Sequence, residues 1–161
     1  MRFFKKYDER GFNRKGFHRS TGTKYDQKGF RKDGNNRWTY TKFNEYGFDW
    51  DGFHRSTGTK YDPREFDENG IHKVTGTKYD QWGFNRDGIH AATWKSYDEH
   101  GFDKNGNHTV TWKIYDERGF HRDGIHEVTG TKFDVRGFDW DGFDKEGFNI
   151  NGIHKSDILI D

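Results

Sequence analysis

An 18-residue unit repeats seven times between Tyr7 and Lys132, and the 21 glycines of the chain fall on its grid. YDERGFNRKGFHRSTGTK (7–24) opens the series, YDQKGFRKDGNNRWTYTK (25–42) follows, and the pattern runs on with few departures. A fixed period of this length restricts the chain to a repeat architecture, in which each unit is covered by its neighbours. Each unit divides into pieces of five, five and eight residues. Most pieces start with an apolar residue followed by Asp, Asn or His, and end at or near Gly.

The first apolar slot is always aromatic: Tyr7, Tyr25, Phe43, Tyr61, Tyr79, Tyr97, Tyr115 and Phe133. The second is always Phe, from Phe12 through Phe30, Phe48, Phe66, Phe84, Phe102 and Phe120 to Phe138. The third varies among Phe, Ile and Asn, with Asn35 and Asn107 the polar cases. Hydrophobic residues make up only 29% of the chain and charged ones 34%, a balance typical of disorder. Aromatic residues nevertheless reach 19%, and their strict placement predicts an ordered core of stacked rings.

The recurring D-x-x-G is a turn. The Asx side chain bonds the backbone two residues on, and Gly takes the positive φ that closes a type I turn. Asp62-Pro63-Arg64-Glu65 puts the single proline where the turn wants a preset φ, and Glu65 where Gly stands elsewhere. Glu65 is therefore expected to carry positive φ or to alter the turn.

The eight-residue piece alone is long enough for a strand. In HTVTWKIY (108–115), Val110, Trp112 and Ile114 alternate with Thr109 and Thr111. No window has helical period. The expected fold is all-β: an 18-residue-repeat β-solenoid with an aromatic core, or alternatively an antiparallel hairpin meander of stacked repeats. The expected organisation is an N-terminal lead at 1–6, repeats at 7–132, five-residue-period arms at 133–154 and a tail at 155–161.

Net charge is +1, which offers no global attraction for nucleic acid or membrane, and the chain has no cysteine. No apolar stretch is long enough for a membrane span or a signal peptide, so a cytoplasmic location is the default expectation. Catalysis has no support, because every candidate acid, base or imidazole is one of many equivalent copies. No cofactor is expected.

Seven of nine histidines share one slot: His18, His54, His72, His90, His108, His126 and His154. They sit where other pieces have Asp or Asn, so turn capping is the simpler reading, with a metal ladder the alternative. A second alternative metal reading is Ca²⁺ at strings such as DWDG (49–52), which lack the full calcium-loop pattern. The paired threonines of T-G-T are expected to be strand residues.

Lys24, Lys42, Lys60, Lys78 and Lys132 form a column. Beside rings read as exposed, Trp38, Trp50, Trp82 and Trp140, it could track a phosphate backbone. In three units an aromatic replaces the Gly of T-G-T: Tyr40, Trp94 and Trp112. Two of these have Asn35 or Asn107 in the third slot, so the extra ring is expected either to fill that space or to lie exposed. The Lys column and these three rings are the candidate binding face. Phe3 and Phe4, with Ile158, Leu159 and Ile160, are the candidates for end-to-end assembly.

The strings TGTKYDQKGF, GIHEVTGTKFDVRGF and GFDWDGFDKEGF resemble the bacterial tandem repeats known as palindromic amphipathic repeat coding elements, over Tyr7 to about Lys155. The resemblance implies a modular, expandable repeat used for interaction, often on surface proteins, and carries over no catalytic residue. Together these features lead to a non-enzymatic structural or protein-interaction repeat protein, with a protein partner or a second copy as ligand. Nucleic-acid binding and a metal-stabilised solenoid are the alternatives.

Overall fold

The computed structural model describes residues 6–158. Phe3, Phe4, Leu159 and Ile160 lie outside that range. The chain divides into two compact halves, Met1–Asp80 and Gln81–Asp161, each treated by itself.

Neither the solenoid nor the hairpin meander is found. Among the described residues the one regular element is a short 3-10 turn, Lys155–Asp157, at whose end Ile158 stands exposed. β structure is confined to isolated antiparallel bridges between residues six apart, such as Phe12 with His18 and Phe48 with His54. The cause lies in the Asp of each turn. Asp8 donates its amide to the Phe12 carbonyl (2.9 Å), and its Oδ1 accepts the amides of Arg10 (3.1 Å) and Phe12 (2.8 Å). Both backbone groups of Phe12 are thus used inside their own turn, and none is left to pair with a neighbouring strand. The chain is a succession of side-chain-capped turns.

Those turns are the ones the sequence specifies. The fourth-residue amide closes back on the Asp carbonyl, as in Gly47 to Asn44 (2.9 Å), and Gly47 has φ +85°. A Cβ on Gly47 would lie 2.8 Å from Nε2 of His54, so glycine is required for space as well as conformation. Glu65 holds φ +65° with its amide still bonded to Asp62 (2.9 Å), as expected of a non-glycine in that place.

Of the three apolar slots, only the second forms a core. Phe12, Phe30, Phe48, Phe66, Phe84, Phe102 and Phe120 are buried, while the first slot is half-buried and Phe17 and Phe53 are exposed. Each buried Phe except Phe30 meets the edge of the imidazole six residues on, with Phe48 and His54 centroids 5.0 Å apart at 69°. Five of the column histidines cap turns (His18, His54, His72, His126 and His154), whereas Nδ1 of His90 and of His108 is buried without a hydrogen bond. Nδ1 of His54 accepts the Ser56 amide (3.3 Å), and Nε2 of His126 donates to the Arg118 carbonyl (3.1 Å). His126 makes both bonds, since its Nδ1 also accepts the Val128 amide (3.3 Å). At Phe30 the partner is Asn36, whose Oδ1 accepts the Trp38 amide (3.0 Å) and whose Nδ2 donates to the Lys28 carbonyl (3.3 Å).

Neighbouring repeats are joined by side chains. With positions counted from the aromatic that opens each repeat, the eighth residue of the repeats opening at Phe43, Tyr115 and Phe133 reaches the second residue one repeat back and the fourth residue two repeats back. Trp50 donates Nε1 to Asp26 (2.7 Å) while the Arg10 guanidinium lies over its ring (3.8 Å). Trp140 donates to Asp116 (3.0 Å) and stacks on His100 (3.8 Å, 29°). Arg122 pairs with Asp98 (3.6 Å) and covers the Trp82 ring (4.8 Å). The exception keeps the logic: where the second residue is Asn44, the eighth is Glu68, which pairs with Lys28 (2.7 Å).

Glu68→Lys should destabilise the chain by about 1 kcal/mol, and Lys28→Glu with Glu68→Lys should recover most of it. Urea unfolding of the two singles and the double measures this. A double variant as weak as the sum of the singles would show that the pair is not coupled.

Asp8 and Asp134 carry carboxyls below their ordinary 3.8. Burial pushes both up, but the Phe12 amide and then Lys32 outweigh it at Asp8, and the Phe138 amide and then Arg136 at Asp134. A carboxyl depressed on folding adds stability above its ordinary value and loses it as pH falls through the folded value. Melting temperature should therefore fall with pH below 3.8, less steeply in Asp134→Asn, which keeps the turn oxygen but cannot titrate. A parallel fall in both proteins counts against Asp134.

Candidate interaction surface

The eight-residue piece is a closed loop rather than the expected strand. In the third repeat His54 donates to the Thr59 carbonyl (2.7 Å), and Gly58 donates back to the His54 carbonyl (2.8 Å). This is one helical turn ended by a left-handed residue, the way many helices are capped. The threonines are fasteners, since Thr57 and Thr59 both donate Oγ1 to the Tyr61 carbonyl (2.5 and 3.1 Å).

Gly58 has φ +65°, and a Cβ there would meet nothing within 4 Å. A side chain at this position has room, but it must adopt the left-handed backbone. Tyr40, Trp94 and Trp112 do so, at φ 57°, 58° and 57°. Their rings are 83%, 77% and 83% exposed. Of the two expectations for these rings, exposure is the one found: they do not fill the space left at Asn35 and Asn107.

The Trp loops give up a second contact. Lys95 and Lys113 replace the second threonine, so only Thr93 and Thr111 hold the Tyr97 and Tyr115 carbonyls. The Tyr40 loop keeps both hydroxyls, on the Phe43 carbonyl.

The lysine column does not form one continuous track. Lys42 and Lys60 fold back to donate Nζ to the Asp33 and Asp51 carbonyls of their own repeats, with Lys60 also 4.0 Å above the Phe53 ring. Lys24 borders a hollow with Lys15, Arg31 and Lys32. Lys78 and Lys132 are exposed. Of the tryptophans read as exposed, Trp38 and Trp82 are, whereas Trp50 and Trp140 are half-buried by the inter-repeat contacts above. Among the described residues no three His, Cys, Asp or Glu side chains are grouped to hold a metal ion, and no helix is long and apolar enough to cross a membrane.

Comparison with protein-family models, with curated proteins and with solved structures finds no match for the chain.

Proposed function

We propose that the chain is a non-enzymatic repeat protein serving as an interaction module, and that it contacts a protein partner through Tyr40, Trp94 and Trp112. One observation carries this reading: three large rings are held in a backbone conformation that disfavours them, at loop tips where they touch little of their own protein. Left-handed geometry costs an L-residue about 1–2 kcal/mol, and the other loops avoid that cost with glycine. Rings kept at such positions gain nothing in folding, while exposed aromatics are the usual anchors of protein contacts. The Trp loops also forgo a hydroxyl fastener for a cation, a further concession in the same place. The carboxylates of Asp8, Asp26, Asp98, Asp116 and Asp134 and the imidazoles of His18, His54, His72, His126 and His154 are, by contrast, engaged in turns, which supports a non-enzymatic role.

The test uses the triple variant Tyr40→Gly, Trp94→Gly, Trp112→Gly. The wild-type chain should retain a partner from native lysate that the variant loses although it remains folded. Identical retention by both proteins would remove this reading.

A further inference from the structure

The near-zero net charge conceals a sharp segregation. Residues 1–42 carry 13 basic and 4 acidic side chains, a surplus of nine positive charges, whereas residues 43–161 carry 15 basic and 23 acidic. We propose that the first two repeats bind single-stranded nucleic acid, a site separate from the Trp94 and Trp112 loop tips.

The local carboxylates are already engaged. Asp8 accepts two amides and lies 3.5 Å from Lys32; Asp26 accepts two amides and the Trp50 indole; Asp33 faces Arg31 at 4.0 Å. Glu68 of a later repeat takes up Lys28, and most of the surplus among the described residues lies on the surface. It is concentrated at a hollow of about 310 Å³ lined by Lys15, Gly16, Lys24, Arg31, Lys32 and Asp33. Lys32 also borders a second hollow of about 550 Å³ with Lys6, Arg10 and Arg14, whose four cations outnumber the carboxylates of Asp8 and Glu9 that line it too. A run of cations across two repeats suits a chain of phosphates better than a single anion.

The choice of nucleic acid over an acidic protein rests on rings in the same two repeats. Phe17, next to Gly16 of the hollow, is 39% exposed and Trp38 is 59% exposed. Arg37 lies over both Tyr25 (5.0 Å) and Trp38 (5.2 Å), presenting a cation beside an open ring. Cations that follow the backbone and rings that stack on bases are the two components of single-strand recognition, and a duplex keeps its base faces closed to such rings.

The full chain is titrated with a fluorescein-labelled oligo-dT of about twenty nucleotides, followed by anisotropy at several salt concentrations. Contacts from Lys15, Lys24, Arg31 and Lys32 should make affinity fall about fifty-fold between roughly 50 and 200 mM salt. Lys15→Glu with Lys24→Glu should weaken binding about ten-fold or more with an unchanged melting temperature. Trp38→Ala should weaken it roughly ten-fold and Trp38→Phe much less, so that a loss of stacking is told apart from a loss of fold. Absence of binding at the lowest salt, or binding indifferent to the Lys15/Lys24 reversal, overturns the proposal. So does displacement of the oligonucleotide by polyglutamate at equal charge, which would make the site one for acidic polypeptide. The double variant Trp94→Gly, Trp112→Gly, which leaves the first two repeats untouched, should bind oligo-dT like wild type; the two readings therefore fail independently.

Discussion

Phe48→Ala should cost about 3–5 kcal/mol, enough to remove a large share of the stability of a chain this size. Phe48 is 0% exposed, and its repeat buries no other large apolar side chain so completely. The imidazole of His54 that packs on it is itself held by the Ser56 amide, so it is poorly placed to collapse into the space left behind. Phe53→Ala, in the exposed third slot of the same repeat, should cost under about 1 kcal/mol. Urea unfolding of the two variants compares them directly. Equal losses would mean that the core is spread over several slots rather than held by one ring per repeat.

The triple glycine variant should be more stable than the natural chain. Releasing left-handed strain gains about 1–2 kcal/mol per site, and the extra freedom of glycine in the unfolded chain returns about 0.5 kcal/mol of it. The net is about 1 kcal/mol each, or about 3 kcal/mol for Tyr40, Trp94 and Trp112 together, a rise in melting temperature of about 6–12 °C. Calorimetry gives the answer. A variant that melts no higher than wild type would show that the rings make stabilising contacts despite their exposure. A rise in stability with a loss of partner binding is the pattern expected of residues kept for function.

The turn grid was legible because its chemistry is local. Asp-x-x-Gly states its geometry within four residues, and even Glu65, the position that breaks the rule, takes the left-handed backbone its slot demands. The capping role of His54 and its equivalents was readable for the same reason. The strands were misread because alternation in HTVTWKIY says nothing about where backbone amides go. The His108 amide is bonded to the Lys113 carbonyl (2.7 Å), which closes the piece into a loop.

The exposed rings could be located in sequence as the replacements for glycine, but their direction could not. That depended on the open space outside the loop tip, and the count of buried slots likewise emerged only from packing. The inter-repeat contacts did leave a sequence signal that went unread: Asn44 and Glu68 depart from their columns together. The two positions are 24 residues apart, and the pairing of Glu68 with Lys28 spans 40, beyond any local pattern.

That long reach bears on how such an array can change length over time. If each repeat touched only the next through identical contacts, copying one repeat would be harmless. Here the eighth residue is matched to particular residues of the preceding repeats, so a tandem copy of residues 61–78 would place Tyr46, two repeats back, where Glu68 now finds Lys28. The copied carboxylate would then lack the cation that it pairs with now. Growth by one repeat must be accompanied by compensating substitutions, and the individuality of these otherwise similar repeats records which neighbours each has had to fit.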